Sequence, residues 1–121
     1  MERMARILVI DDSPDERAIV HDMLRFAGHE VLLAADGREG LKTYRDGPTD
    51  LVITDLFMPE VDGVETILAL RKEFPEAKVI AISGHTSAEA MLSVARRLGS
   101  VATLEKPFTA EHLLAAVQKA L

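Results

Sequence analysis

The chain has 121 residues and no cysteine, so it can form no disulfide and can offer no thiolate to a metal. That suits a reducing compartment. No apolar run approaches the roughly 18 residues that a membrane-spanning helix needs. The start, Met1-Glu2-Arg3-Met4-Ala5-Arg6, lacks a basic head followed by an apolar stretch, so no secretory leader is expected and the protein is read as cytoplasmic. Positive charge is also in deficit. Fourteen Lys and Arg face 20 Asp and Glu, and the net charge of −6 disfavours a nucleic-acid surface built on attraction to phosphates. There is no internal repeat, low-complexity stretch or linker, and the length fits one domain over residues 1–121, with no output domain in this chain.

What remains is a chain with 48% hydrophobic residues, enough for a core, and 28% charged residues, ordinary for a surface. Its acidity serves solubility, or it marks acids gathered at one site. Apolar runs alternate with helix-period segments. Arg6-Ile7-Leu8-Val9-Ile10, Leu51-Val52-Ile53-Thr54 and Val79-Ile80-Ala81-Ile82 are short and nearly continuous, as strands buried on both faces of a parallel sheet are. Glu30-Val31-Leu32-Leu33-Ala34 and Val101-Ala102-Thr103-Leu104 are weaker candidates for the second and fifth strands.

Helix signals fill the gaps. Ser13-Pro14-Asp15-Glu16 offers a capping serine, a proline at the first helical position and a glutamate at the third. Asp36-Gly37-Arg38-Glu39 and Thr86-Ser87-Ala88-Glu89 repeat that logic, and Thr109 is placed to cap a fifth helix after Pro107. The periodicity predicts that the first helix buries Ile19, Val20, Met23, Leu24 and Ala27 before Gly28, and the third Val64, Ile67 and Leu68. The fourth is expected to bury Met91, Val94, Ala95 and Leu98, and the fifth Leu113, Leu114, Val117 and Leu121. Five β-then-α units with short connections imply an α/β fold, a parallel sheet with helices on both faces. Such a sheet binds its ligand at the carboxyl ends of the strands, where the strand order switches.

The residues at those ends are chemically selective. Asp11-Asp12 follow the first strand, Asp55 the third and Ser83 the fourth, and Lys106 comes just after the fifth. A single aspartate there would most often be a cap or a turn former. Carboxylates brought together repel one another, and a hard divalent cation such as Mg²⁺ relieves the repulsion. A carboxylate nucleophile, a cation, a lysine ammonium and a serine hydroxyl fit phosphoryl transfer onto an aspartate. His21, His29, His85 and His112 show no metal-ligand spacing and are expected on the surface, with His85 near the site through its closeness to Ser83. Arg96-Arg97 reads as a solvated helix face, and Met23, Met58 and Met91 as packing residues.

Over essentially its whole length the sequence resembles the receiver domain of bacterial response regulators, of the chemotaxis-receiver type. The resemblance rests on Asp11-Asp12, on Asp55-Leu56-Phe57-Met58-Pro59-Glu60-Val61-Asp62-Gly63, on Ser83, and on Lys106-Pro107-Phe108. It implies a five-stranded sheet of order 2-1-3-4-5 and a flavodoxin-like fold. It implies that Asp55 is phosphorylated by a histidine kinase or phosphotransfer protein, with Mg²⁺ or Mn²⁺ held by Asp11, Asp12, Asp55 and the Phe57 carbonyl. Ser83 would grip the phosphoryl group and Lys106 would pair with it. Met58, Pro59 and Gly63 would shape the neighbouring loop, and a cis bond would join Lys106 to Pro107. The implied catalysis is self-directed, so the chain is expected to be a signalling module and not an enzyme on a separate substrate.

Two positions qualify the resemblance. Thr103 stands where receivers usually carry the aromatic ring of the switch, and Phe57 places an apolar ring two residues after the acceptor, where it would shield an acyl phosphate from water. The fourth helix, fifth strand and fifth helix form the face through which the family docks downstream proteins or dimerises. Two other readings are a degenerate receiver acting as a scaffold and an aspartate-nucleophile phosphatase. The phosphatase generally wants Asp-x-Asp after the first strand, where this chain has adjacent acids and then Ser13.

Overall fold

Each apolar run becomes a strand and each periodic segment a helix. The computed structural model describes residues 3–56, 63–84 and 88–121. The strands are β1 (Arg6–Ile10), β2 (Glu30–Ala34), β3 (Leu51–Asp55), β4 (Val79–Ser83) and β5 (Ala102–Glu105). The helices are α1 (Pro14–Phe26), α2 (Gly37–Asp46), α3 (Gly63–Glu73), α4 (Ala88–Arg97) and α5 (Ala110–Ala120). The strands form one parallel sheet of order β2-β1-β3-β4-β5, as expected.

The two-residue period of the strands sorts the core into two layers. Ile7 and Val9 of β1, Leu51 and Ile53 of β3, and Ile80 and Ile82 of β4 pack with Val20 and Leu24 of α1 and with Leu113 and Val117 of α5. The intervening residues, Leu8, Ile10, Val52, Val79 and Ala81, pack on the other face with Tyr44 of α2, Ile67 and Leu70 of α3, and Leu92 and Ala95 of α4. Every residue of β3 and β4 is buried, which is why their sequences run apolar without alternation until the strand ends. Tyr44 and Phe74 meet edge to face with centroids 4.8 Å apart, and Arg45 makes a forked pair with Glu73 (2.7 and 2.8 Å), joining α2 to α3.

The caps form as read. Ser13, Asp36 and Thr109 accept the backbone N–H groups of Glu16, Glu39 and His112. The expected cap at Thr86 lies outside the described residues. Gly28, at φ 95°, turns the chain out of α1 while the N–H of His29 donates to the Leu24 carbonyl.

Several burial expectations need correction. Ile19 is 55% exposed, Leu68 50% and Val94 40%, because the helices that carry them press a narrower stripe against the sheet than periodicity alone suggests. Leu70 and Leu92 occupy the buried positions instead. The side chain of Met91 lies outside the described residues. His29 is not a surface residue. It is 1% exposed, and its Nδ1 accepts the N–H of Ala5 at 3.0 Å, tying the end of α1 to the chain entering β1. The fifth strand begins at Ala102, one residue later than the sequence suggested, and Val101 is half exposed before it.

Candidate functional site

The site lies where the sheet order reverses. From β1 the chain builds outward to β2 and then returns to β3 on the opposite side, leaving a crevice at the carboxyl ends of β1 and β3. Ile10 pairs with Thr54 in register, so Asp11-Asp12 and Asp55 leave the sheet side by side. Asp55 pairs with Ile82, and Ser83 with Glu105, which brings the ends of β4 and β5 to the same edge. Backbone bonds continue the ladder beyond the strands. The N–H of Leu56 donates to the Ile82 carbonyl (2.9 Å) and that of Lys106 to the Ser83 carbonyl (2.9 Å).

Carboxylate oxygens of Asp11, Asp12 and Asp55 all lie within 4.8 Å of one another. Asp11 and Asp55 are buried, while Asp12 faces solvent. Burial pushes the Asp11 carboxyl up from 3.8 to about 6, opposed by the hydrogen bond from the Ser13 N–H and reinforced by Asp55. That cluster costs free energy as it stands and fits a hard divalent cation, whose charge would relieve it. All three donors are oxygens, the set that Mg²⁺ or Mn²⁺ takes.

The first turn of α1 is built around Asp11. Its carboxylate accepts the Ser13 N–H at 3.0 Å, and its carbonyl accepts a guanidinium N–H of Arg17 at 2.7 Å. Lys106 reaches into the cluster from the end of β5, and the Lys106–Pro107 bond is cis. Its ammonium lies 3.3 Å from Asp55 Oδ2 and 4.0 Å from Asp11 Oδ2, but 2.6 Å from Glu16 Oε2. Burial opposes its charge, yet the hydrogen bond to Glu16 and the carboxylates of Asp55, Asp11 and Glu16 outweigh that and hold its pKa above the ordinary lysine value.

Ser83 is fully buried, and its Oγ makes no hydrogen bond with any described residue. A buried hydroxyl left without a partner costs about 1–3 kcal/mol, and an acceptor arriving at the strand ends would satisfy it. Gly63 allows α3 to start against the end of β3, since a methyl group there would overlap the Asp55 carbonyl and come 2.5 Å from Leu56 Cα. Thr103 is partly buried, and its Oγ1 accepts a guanidinium N–H of Arg96 on α4 at 3.1 Å. Arg96 is exposed on α4, as expected, and its guanidinium also reaches β5.

Asp11, Asp12, Asp55, Ser83 and Lys106 thus meet at the strand ends. Phe57, Met58 and Pro59, with His85, lie outside the described residues. Two residues near the site were not singled out as functional from the sequence. Glu16 looked like half of a helix cap. At Gly84, a methyl group would come 2.7 Å from Lys106 Cβ, so glycine leaves room for the lysine stem.

Comparison with known proteins shows the family. Residues 7–118 match the family model for the response regulator receiver domain. A response regulator receiver protein of Anaeromyxobacter sp. is 36% identical over 111 residues, which cover 92% of this chain and 46% of that protein. Chemotaxis protein CheY of Thermotoga maritima is 33% identical over 115 residues, 94% of this chain and 95% of that one. A crystal structure of a response regulator receiver domain protein from Clostridium thermocellum superposes with a TM-score of 0.90 at 34% identity, covering 97% of this chain and 94% of that one.

Proposed function

Because the chain belongs to the response regulator receiver domain family, a family of signalling domains, we propose that Asp55 is its phosphoacceptor. The observation that carries this reading is a convergence. Three carboxylates have oxygens within 4.8 Å of one another, and a lysine ammonium stands 3.3 Å from Asp55. A carboxylate oxygen of Asp55 attacks the phosphorus of a phosphohistidine or a small acyl phosphate. The bond from phosphorus to the donor nitrogen or oxygen breaks, the donor keeps the electron pair, and Asp55 becomes a mixed anhydride. Attack by water later returns the carboxylate and releases phosphate.

The residues divide this work. Lys106 places its charge beside the acceptor, where negative phosphoryl oxygens arrive. The Ser83 hydroxyl donates to one of those oxygens, which gives a role to an Oγ that has no partner among the described residues. Asp11, Asp12 and Asp55, with the Phe57 carbonyl, would hold Mg²⁺ or Mn²⁺. Such a cation, when bound, supplies positive charge that neutralises carboxylate and phosphoryl oxygens. Pro107 and Gly63 set the backbone that presents Lys106 and Asp55.

The chain is read as a cytoplasmic signalling module served by a histidine kinase or phosphotransfer protein, handing its signal to a protein docked on α4, β5 and α5, or to a second copy of itself there. The hydrogen bond from Arg96 to Thr103 spans two elements of that face and links it to β5. Incubation with acetyl phosphate and Mg²⁺, followed by intact mass, tests the acceptor. One added phosphoryl group supports it, turnover of a free phosphomonoester supports a phosphatase, and no modification by any donor supports a scaffold.

A further inference from the structure

Glu16 has the makings of a second half of a capping box, in which its carboxylate would turn back to the N–H of Ser13. It does not. The Ser13 N–H donates to Asp11 instead, and Ser13 Oγ accepts the N–H of Glu16 at 3.3 Å. The corresponding glutamate of α2, Glu39, does turn back over its helix start, past the cap Asp36, to accept the N–H of Ala35 at 3.3 Å. Released from that duty, the Glu16 carboxylate extends across to Lys106 at 2.6 Å, nearer than Asp55 at 3.3 Å. The lysine side chain is 22% exposed and that of Glu16 43%, so the pair lies at the mouth of the crevice and not within its floor.

We propose that Glu16 is a positioning residue that holds Lys106 in the unphosphorylated domain and competes with the incoming phosphoryl group for its ammonium. The proposal rests on the receiver reading. A lysine paired at 2.6 Å with a carboxylate is partly neutralised, so the arriving phosphoryl oxygens receive less of its charge. Phosphorylation places new negative charge beside Lys106 and shifts the ammonium from Glu16 toward the phosphoryl oxygens. The interaction thus sets how readily the site accepts phosphoryl groups, through a residue that neither binds the metal nor touches the acceptor.

Glu16→Gln keeps the shape and a hydrogen-bonding oxygen and removes the charge. With acetyl phosphate and Mg²⁺ at low ionic strength, phosphorylation followed by intact mass is expected to run at least threefold faster in E16Q than in the wild type, with Glu16→Asp between them. The same change in a Lys106→Met background is expected to have no effect, because Glu16 acts through the lysine. The ¹⁵Nζ resonance of Lys106, identified by its loss in K106M, is expected to move in unphosphorylated E16Q. Equal rates in E16Q and wild type, or an equal gain in the K106M background, would overturn the proposal. So would an unmoved Lys106 resonance, whether or not the wild type takes up phosphate. A wild type that moves the resonance in E16Q yet takes no phosphoryl group would sink the receiver reading, and the competition with it.

Discussion

Gly63 lies against the backbone of Asp55 so closely that a β-carbon on it would overlap the Asp55 carbonyl oxygen. Neither partner can yield cheaply, because the obstacle is the main chain at the end of a fully buried strand. Gly63→Ala therefore must push α3 from β3 or displace Asp55. It is expected to cost about 1–3 kcal/mol of stability by urea denaturation and to slow phosphorylation at least tenfold. An alanine variant with wild-type values for both would show that the contact can relax.

Asp11 carries a pH dependence whose sign follows from burial. Its carboxyl is raised from 3.8 to about 6, so between those values the folded protein holds a proton that the unfolded chain has released. Its contribution is complete below pH 3.8 and is lost as pH rises toward 6. The penalty at neutral pH is on the order of 2–3 kcal/mol, from 1.36 kcal/mol per pKa unit. Asp11→Asn without divalent cation is therefore expected to be more stable than the wild type at pH 7.5, with the gain gone at pH 4. Denaturant titrations in chelator at the two pH values check this, and an equal difference at both would contradict it. Since a metal needs the deprotonated carboxylate, Mg²⁺ affinity of the wild type is expected to fall as pH drops through about 6.

His29 is buried to 1% exposure and accepts the Ala5 N–H. His29→Ala leaves a cavity and an unsatisfied donor, with an expected loss of about 3 kcal/mol. Thermal or urea unfolding measures it, and a change below 0.5 kcal/mol would be the behaviour of a surface residue.

Much of the fold was legible because a parallel sheet buried on both faces writes itself as short apolar runs, and the acids, hydroxyl and lysine follow those runs directly. The caps at Ser13, Asp36 and Thr109 were legible for the same local reason. What a sequence pattern does not carry is which of several apolar residues on a helix faces the sheet. Ile19 and Leu68 were assigned to the core, and Leu70 and Leu92 fill it. His29 was missed because its burial depends on a contact 24 residues away. Glu16 was legible as a helix-start residue but not as the partner of Lys106, which lies 90 residues on and meets it only through the sheet.

Thr103 occupies the position where an aromatic switch residue was expected, and its hydroxyl is turned to Arg96 on α4. Thr103→Val removes that acceptor and nothing from the acid cluster. Stability is expected to change by less than about 0.5 kcal/mol, and the phosphorylation rate by less than twofold. A tenfold slower rate would place Thr103 in the phosphoryl site.

Asp55 is proposed to take the phosphoryl group, with Lys106 3.3 Å from it and three clustered carboxylates for the metal. Intact mass of the wild type and of Asp55→Asn, after incubation with acetyl phosphate and Mg²⁺, decides this. One phosphoryl group is expected on the wild type, absent when the metal is chelated before the donor is added, and none on D55N. Equal phosphorylation of D55N, or none of the wild type with any donor, would contradict it.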